Sequence, residues 1–472
     1  MLEIRTSLKP ADLAPKLERM WGLSAAKIRS IEKDWDPAKG SPVFTVRGRY
    51  ASQGWTEWTQ GFVYGSALLQ YDAGEDAGFL SLGREHTFRD MAGHVTHFGV
   101  HDHGFNNVST YGNLWRLLGE GRLRPEGRER EFYELALKAS GAVQAKRWTK
   151  IAGGRGFIHS FNGPHSLFAD TIRSLRALSL AHKLGHAMLD EGDDRISLLK
   201  RLVEHAAVTA EFTVFYGRGR DIYDTPDQRG RTAHEIIFNT HDGRYRCPNS
   251  QQGYSPFTTW TRGLAWVMLG FSEQLEFVQS LSDSELGAVG GRASIEAMMM
   301  NAAKAACDFY IAHTPTDGIP YWDTGAPGLH KLGDYLARPA DPFNGHEPVD
   351  ASAAAIASQG LLRLGRLLVE RGETAEGGKY WSAGLTVADS IMSEPYLSTY
   401  PAHQGLLLHS VYHRPNGWDY VPPGGNVPDG KVPDGKVPYG ESSQWGDYHL
   451  REVALYLHRI IKGGRYYTFF GA

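Results

Sequence analysis

Helical segments recur along most of the chain, and they constrain its fold more than any other feature. Apolar side chains in residues 166–184 follow one another at spacings of four, three and three, which places them on one face of a helix. These side chains are Phe168, Ile172, Leu175 and Leu178. Similar segments, rich in Ala and Leu and ended by Gly or Asp-Gly, are 62–73, 196–215, 257–277, 293–312, 351–370 and 444–461. The sequence therefore predicts a mostly helical protein.

Polar loops rich in Gly and Pro join the helical segments. Gly makes up 55 of the 472 residues, well above the ordinary level of about 7 %, which we interpret as many turns. Loops 218–256, 313–348 and 413–443 exceed the roughly 15 residues beyond which a loop usually carries function or disorder. The last contains VPDGK twice, over 427–436, which we interpret as a surface turn array or a lid.

Strand signals are few. Residues 41–50 alternate weakly and form a short strand or an extended loop. No βαβ alternation and no GxGxxG before a helix is present, which argues against a nucleotide-binding sheet. No linker-like change in composition divides the chain. We expect one all-α domain, residues 1–472, built from helical hairpins around a common centre, with the long loops on one face.

Charge and composition exclude several classes of function. The formal net charge is −3, which lacks the basic footprint of a nucleic-acid-binding protein. No apolar run approaches the roughly 18 residues that span a membrane, and no signal peptide is visible. The two cysteines, Cys247 and Cys307, imply no disulfide framework. We expect a cytoplasmic protein without membrane or nucleic-acid partners.

The string HDHGF, residues 101–105, places Asp102 between two histidines. A metal site would use His101, Asp102 and His103, but adjacent side chains point apart, and no HExxH or cysteine supports such a site. We therefore expect no metal. The alternatives left for Asp102 are a catalytic carboxylate and a simple cap or loop residue.

Asp170 interrupts an otherwise apolar helical pattern. On an inner face, a carboxyl group would have a raised pKa, which is what a general acid requires. On the polar face, the carboxyl group would lie beside Arg173 or Ser174 and would not act as a general acid. The residues alone leave both alternatives open.

Residues 251–266 combine a cation with aromatic plates. Arg262 and Trp266 are helix neighbours by spacing, and Trp260 is close by. An arginine fork and an indole plate suit a carboxylated sugar. The alternative is a packed helix with a buried ion pair. His234 taken alone indicates nothing.

Taken together, these strings resemble the unsaturated glucuronyl hydrolases, glycoside hydrolase family 88. The resemblance runs in order through most of the chain, and QGYSPFTTWTRGLAW at 252–266 is its most specific part. The other strings are WTQGFVYGSALLQY (58–71), VHDHGF (100–105), GFIHSFN (156–162), SLFADTIRSLRAL (166–178), IPYWDTGAP (319–327), DASAAAIASQGLLRL (350–364), GLLLHSVYHRP (405–415) and ESSQWGDYHLREVAL (441–455).

The resemblance implies an (α/α)6 barrel of six helical hairpins with the site at its mouth and no cofactor. The implied reaction removes a 4,5-unsaturated uronic acid from the non-reducing end of an oligosaccharide made by a polysaccharide lyase. By resemblance, Asp170 is the acid and base, kept protonated at rest by the nearby Asp102, which is the other essential aspartate. The implied substrate-binding residues are His234, Gln252, Arg262, Trp266, Phe161 and Trp58.

The sequence departs from the family pattern in places. Phe161 stands where the family usually has Trp, which keeps an aromatic plate and loses an indole N–H. The loop between Phe161 and Asp170 is shorter than usual, and 328–348 resembles an insertion. No clear match is found to the loop that binds sulfate in family members acting on sulfated glycosaminoglycans. The polysaccharide of origin and the choice between monomer and homodimer stay open.

Other functions are compatible with the same helices. An unsaturated rhamnogalacturonyl hydrolase of family 105 would share the barrel and the chemistry. A sugar epimerase would need two histidines as acid and base, for which His101 and His103 are the candidates. A non-catalytic carbohydrate-binding protein would keep the aromatic residues without needing both aspartates.

Overall fold

Helices dominate this computed structural model, which describes residues 1–54, 57–427, 430–432 and 436–470. The α-helices are α1 (Ala14–Asp34), α2 (Gln60–Gly74), α3 (Ala77–Asp90), α4 (Ala92–Val95), α5 (His103–Asn107), α6 (Asn113–Gly119), α7 (Glu129–Lys146), α8 (Thr171–Ser174), α9 (Arg176–Lys183), α10 (Leu198–Phe212), α11 (Thr261–Gln279), α12 (Asp283–Gly287), α13 (Arg292–His313), α14 (Ala351–Glu370), α15 (Thr374–Ile391) and α16 (Gln444–Ile461). A π-helical turn, Val108–Gly112, joins α5 to α6.

The strands are short. They are β1 (Phe44–Val46), β2 (Arg49–Ala51), β3 (Trp148–Lys150), β4 (Gly156–Ile158), β5 (Ser166–Phe168), β6 (Met188–Leu189), β7 (Arg195–Ile196), β8 (Glu235–Phe238), β9 (Tyr245–Asn249), β10 (Gly425–Val427) and β11 (Gly430–Val432). Apart from β5, which pairs with β8, each strand pairs with the strand next to it in the chain. Strands β5, β8 and β9 form an antiparallel sheet, in which Phe168 pairs with Glu235. The other strands form two-stranded hairpins.

Six inner helical segments form a closed ring. The segments are α2, α5–α6, α8–α9, α11, α14 and α16. Each contacts the next, and α16 returns to α2. The helices α3, α7, α10, α13 and α15 each follow an inner segment and pack outside it, and α1 completes the outer layer against α2 and α16. These six pairs confirm the expected α/α barrel of helical hairpins.

Glycine allows the inner helices to approach closely. A Cβ atom on Gly104 of α5 would lie 2.2 Å from the carbonyl oxygen of Ser174, and one on Gly360 of α14 would lie 2.9 Å from the backbone nitrogen of Leu269. A side chain at either position would force the ring apart. Part of the glycine excess therefore serves helix packing, not only the turns that we expected.

The loops that lead into the inner helices meet at one end of the barrel. Isolated β-bridges join several of these loops to one another, including Phe44 to Ser443, Trp260 to Asp323 and Tyr321 to Val349. The predicted long loops therefore do lie on one face, which forms the mouth of the barrel. The strand predicted within 41–50 is the hairpin of β1 and β2. Positions 428, 429 and 433–435 of the VPDGK repeat lie outside the described residues.

The prediction of a continuous helix over 166–184 is wrong at its start. Residues 166–168 are strand β5, and the helix begins only at Thr171, with Asp170 at the N-cap position. The apolar spacing arises because strand and helix both bury Phe168 and Ile172 in the core. Asp170 is thus placed at a helix end that faces the mouth.

Charged side chains fill the centre of the ring below the mouth. Glu452 of α16 is fully buried and lies 2.9 Å from the guanidinium of Arg173 and 3.3 Å from that of Arg176. The side chains of Gln359 and Tyr467 donate to the same carboxylate. The Glu452 carboxylate of α16 is therefore contacted from α8–α9, from α14 and from the C-terminal segment.

Two observations concern the surroundings in which the chain resides. Across the described ranges, no helix combines the length and the apolar character needed to cross a bilayer. Cys247 is exposed, Cys307 is buried, and both are free thiols.

Candidate active site

A cavity at the barrel mouth contains all the predicted site residues except His234. Its walls come from the loops that precede the inner helices and from the first turns of those helices. The lining residues are Trp58, His101, Asp102, Phe105, Phe161, Phe168, Asp170, Gln251, Gln252, Trp260, Arg262, Trp266, Tyr412, His413 and Trp418. His234 lies directly behind this wall, with its ring 4.5 Å from that of Phe168 and 4.6 Å from that of Trp260.

The two predicted aspartates meet at one histidine. Asp102 is the N-cap of α5 and Asp170 is the N-cap of α8. The Nε2 atom of His101 is 3.1 Å from Oδ1 of Asp170 and 3.9 Å from Oδ1 of Asp102. His101 is 1 % exposed and each aspartate 8 %. Two carboxyl groups and an imidazole thus share a nearly dry cluster at the cavity wall.

The sequence led us to expect a raised pKa for Asp170, but within this cluster the raised carboxyl pKa belongs to Asp102. Burial raises the pKa of Asp102 above its ordinary value, although His101 opposes the rise. Burial also acts on Asp170, but the charge and hydrogen bond of His101 outweigh it and lower the pKa of that carboxyl. The pKa of His101 is raised because both carboxylates together overcome its burial. In this state, Asp170 is the ionised partner of His101, and the carboxyl with the raised pKa is Asp102.

His234 is a neutral hydrogen-bond donor. Its Nδ1 atom accepts from the backbone N–H groups of Gln251 at 2.9 Å and Gln252 at 3.2 Å, so the ring proton must be on Nε2. Burial lowers the pKa of His234 to about 3. The Nε2–H group is buried and has no hydrogen-bond partner among the described residues.

Arg262 is an internal anchor. Its NH1 group contacts Asp350 at 3.2 Å and the carbonyl of Val411, and its NH2 group donates to Gln252 and Tyr412. The guanidinium is therefore not free to fork onto a ligand carboxylate, and the buried ion pair that we held as the alternative is what forms. Because an arginine can only donate, the contact fixes Gln252 with its Oε1 towards Arg262, which leaves the amide N–H groups available.

Aromatic side chains form the remaining walls. Trp58 stacks on Trp445 with ring centroids 5.1 Å apart, so one of its faces is already covered. Trp266 is 2 % exposed and rests on Phe105. Phe161 packs its edge against Phe168 and stacks at 6.0 Å on the ring of His101. The predicted aromatic residues thus shape the cavity, with Trp58 and Phe161 the more accessible of the three.

Several lining residues escaped prediction. Tyr412, His413 and Trp418 come from the start of the long loop 413–443 and the segment just before it, and the Asp419 carboxylate holds this turn by accepting from the His413 backbone N–H at 3.1 Å. Although GLLLHSVYHRP contributed to the resemblance, no spacing rule distinguished these positions from ordinary loop residues. The histidine pair of the epimerase interpretation does not form, because the His103 ring bonds Ser140 and the His97 carbonyl instead of lining the cavity.

Comparison with known proteins identifies relatives over most of the chain. The curated unsaturated glucuronyl hydrolase of Bacillus sp. strain GL1 is 24 % identical over 418 residues, which cover 86 % of this chain and 88 % of that protein. The chain is therefore similar to the unsaturated glucuronyl hydrolases over most of its length. The unsaturated chondroitin disaccharide hydrolase of Streptococcus pyogenes serotype M1 is 23 % identical over 424 residues, 88 % of this chain and 84 % of that protein.

Solved structures of unsaturated glucuronyl hydrolases share the fold. The crystal structure from Bacillus sp. GL1 aligns with a TM-score of 0.68 and 21 % identity, covering 94 % of this chain and 97 % of that one. A mutant of the Streptococcus agalactiae enzyme, complexed with dGlcA-GalNAc6S, aligns with a TM-score of 0.59 and 19 % identity over 95 % of this chain and 92 % of that one. No protein-family model matches the chain. The expected relationship and barrel are thus confirmed.

Proposed function

We propose that this protein removes a 4,5-unsaturated uronic acid from the non-reducing end of lyase-generated oligosaccharides. The protein is a glycoside hydrolase, as its relatives named unsaturated glucuronyl hydrolase and unsaturated chondroitin disaccharide hydrolase indicate. One observation carries the proposal at the level of chemistry. Asp102, Asp170 and His101 meet in a buried cluster on the wall of an aromatic cavity. Such a cluster can hold and transfer a proton beside a flat sugar ring.

The proposed reaction hydrates a vinyl ether. An unsaturated uronic acid has a C4–C5 double bond conjugated to the ring oxygen, so proton addition at C4 places positive charge on C5 and that oxygen. A water molecule then forms a bond to C5 and loses one proton. The resulting hemiketal opens, and the aglycone leaves from C1. One water molecule is consumed, and no second carboxylate nucleophile is required, unlike in ordinary glycoside hydrolysis.

Asp170 and Asp102 take different parts in this scheme. Asp170 donates the proton to C4 and then, as a carboxylate, accepts a proton from the attacking water. Asp102 holds the sugar hydroxyls by accepting hydrogen bonds from their O–H groups.

The substrate carboxylate requires donors that are not already used. Gln252 lines the cavity and keeps its amide N–H groups free of Arg262, and the Nε2–H of His234, just behind the wall, has no partner among the described residues. The buried charge of Arg262 adds a positive potential behind them. Trp58, Phe161 and Trp266 hold the ring by apolar contact.

The reaction type is tested by two measurements on the unaltered protein. We expect the ultraviolet absorbance of the conjugated alkene to disappear from a lyase digest, since hydration removes the double bond. In D₂O, the product should have deuterium at C4, because the proton added there comes from an acid in exchange with solvent. An epimerase or a non-catalytic binder would leave the absorbance intact, and persistence with every unsaturated disaccharide in a panel would refute the proposal.

The charge of the cavity predicts a preference for unsulfated aglycones. Among the described lining residues, Arg262 is the one arginine or lysine, and its terminal nitrogens bond protein atoms. A sulfate would meet two carboxyl groups and no free cation. We expect kcat/KM to be at least about tenfold higher for an unsulfated unsaturated disaccharide than for its 6-sulfated counterpart, equivalent to about 1.4 kcal/mol. Equal values for this matched pair would contradict the prediction.

The sequence and the structure support three finer proposals. The order of the sequence strings supports membership of glycoside hydrolase family 88. Hydrogen bonds between distant parts of the chain, such as Leu2 to Ile311 and Thr45 to Ser442, support one catalytic domain over residues 1–472. The exposed free thiol of Cys247 fits a reducing compartment such as the cytoplasm, where such thiols persist. Cell fractionation tests this location.

A further inference from the structure

We infer that His101 is the proton reserve of the site, a positioning residue that loads Asp170 before catalysis and accepts the proton back afterwards. This inference rests on the proposed function. Its basis is geometric: one imidazole nitrogen, Nε2, lies 3.1 Å from Asp170 and 3.9 Å from Asp102, and the ring is 1 % exposed. No described lining residue offers Asp170 a comparable partner.

The need for a reserve follows from the state of Asp170. A general acid must hold a proton when it meets its substrate, yet Asp170 is the ionised partner of His101 in the open cavity. The pair has two forms with the same net charge, imidazolium with carboxylate and imidazole with carboxylic acid. Exclusion of water disfavours the form with separated charges. When a sugar fills the cavity, the proton therefore moves from Nε2 to Oδ1 of Asp170.

The surroundings hold His101 in place for this transfer. Its backbone carbonyl accepts from the side chains of Gln144 at 2.8 Å and Ser174 at 2.7 Å. The second ring nitrogen, Nδ1, is buried and has no hydrogen-bond partner among the described residues. Nδ1 has its proton in both forms of the pair, in the imidazolium and in the neutral ring that remains once Nε2 has given its proton to Asp170. The proton shared with Asp170 is exchanged through Nε2.

Charged groups around the His101 ring act on its pKa in both directions. Asp102 and Asp170 favour the imidazolium, whereas Arg147 on the α7 side opposes it. His205 of α10 accepts from a backbone N–H, and burial lowers its pKa to about 3, so it is neutral.

Three further groups complete the set. Burial lowers the pKa of His234 to about 3, so this ring is neutral too. Burial likewise lowers the pKa of the half-buried His159, whose Nδ1 lies 3.1 Å from the guanidinium of Arg147. The Arg262 charge is paired with Asp350. The two carboxyl groups are therefore the anions that hold a proton on His101.

Protons balance over one turnover. The Nε2–H of His101 passes to Asp170, and Asp170 passes that proton to C4 as the C4–C5 π bond breaks. The attacking water forms its bond to C5 and gives one proton to the Asp170 carboxylate. Release of the products readmits water, and the proton returns to Nε2. The only co-reactant is the water that hydrolysis consumes.

Replacement of His101 by Gln separates hydrogen bonding from proton storage. The Gln amide can still form a hydrogen bond with Asp170, but it cannot bind a proton. We expect the alkaline limb of the kcat/KM pH profile to move to lower pH by more than about one unit, because the carboxyl groups alone now hold the proton and their ordinary pKa of about 4 lies below that of histidine, about 6.5. At neutral pH, kcat should fall at least about tenfold, with KM within about threefold.

His103→Gln provides the matched control. His103 is equally buried two residues away but bonds Ser140 and the His97 carbonyl outside the cavity. We expect its alkaline limb to coincide with that of the unaltered protein. If His101→Gln keeps the unaltered limb as well, the inference is overturned.

A measurement without mutation covers the case in which His101→Gln fails to fold. In ¹⁵N-histidine spectra of the unaltered enzyme, Nε2 of His101 should titrate at the pH of the alkaline limb. A ring that stays neutral over the whole active range contradicts the inference. These outcomes are distinct from failure of the proposed function, in which no unsaturated disaccharide is hydrolysed and no pH profile exists.

Discussion

Asp170→Asn should abolish turnover while substrate binding persists. The amide has nearly the same shape as the carboxyl group and keeps a place at the N-cap of α8, but it can neither give a proton to C4 nor take one from water. General acid–base groups usually contribute about 10²–10⁴-fold to the rate, and here one residue serves both steps. We therefore expect kcat to fall by at least about 10²-fold, with the substrate Kd changed by less than about tenfold. Single-turnover decay of the alkene absorbance and calorimetric binding measure the two quantities.

The control is a carboxyl of the outer layer. Asp389 on α15 forms ion pairs with Arg5 and Lys16 and does not line the cavity. Asp389→Asn should retain kcat within about twofold, because these ion pairs lie in the outer layer and have no part in the chemistry. Residual activity of Asp170→Asn within about tenfold of the unaltered enzyme, below the usual range for an acid–base group, would exclude Asp170 as the proton donor.

The inner helices α14 and α16 were predictable from the sequence because their apolar residues recur at helical spacing. Segments 351–370 and 444–461 match α14 and α16 at both ends. The outer helices α1, α3, α7 and α15 were missed because each exposes a polar face to solvent and its apolar residues are interrupted by charged or small ones. Tertiary packing, which outweighs intrinsic propensity, makes them helical.

The site residues could be predicted only because the strings that contain them follow one another in the order of the family that they resemble. Asp102 and Asp170 are 68 positions apart in the sequence, and no local pattern predicts that both end at the same histidine. The sequence predicted Asp170 within a continuous helix. Strand β5 instead ends at Phe168, and Asp170 is the N-cap residue of α8 and lines the cavity. Arg262 was predicted to bind a substrate carboxylate, because nothing in its spacing indicated that Asp350 would pair with its guanidinium.

The largest stability effect is expected from Glu452. Its carboxylate pairs with Arg173 and Arg176 and accepts from Gln359 and Tyr467, all in the closed interior of the ring. Glu452→Gln leaves two guanidinium groups with less compensation in a buried site. Breaking a buried pair usually costs about 3–5 kcal/mol, and we expect a loss of this size in the free energy of unfolding, measured by urea denaturation.

Glu370→Gln is the matched control for that substitution. Glu370 forms an i,i+4 pair with Arg366, and both side chains are partly exposed. The expected change is below about 0.5 kcal/mol. Similar losses for the two variants would show that the buried network contributes no more than a surface pair.

The acid dependence of stability should change with the same substitution. The neighbouring arginines hold the pKa of Glu452 well below its ordinary value, although burial acts to raise it. Its stabilisation is therefore complete above the unfolded carboxyl value of 4.5 and is lost as the pH falls through the lower folded pKa. Glu452→Gln should remove this part of the acid-induced loss. Arg173 lies in helix α8, and Asp170 is the N-cap residue of the same helix. Loss of the Glu452 carboxylate should therefore also disturb Asp170 and reduce kcat near neutral pH. Glu370→Gln should leave kcat unchanged.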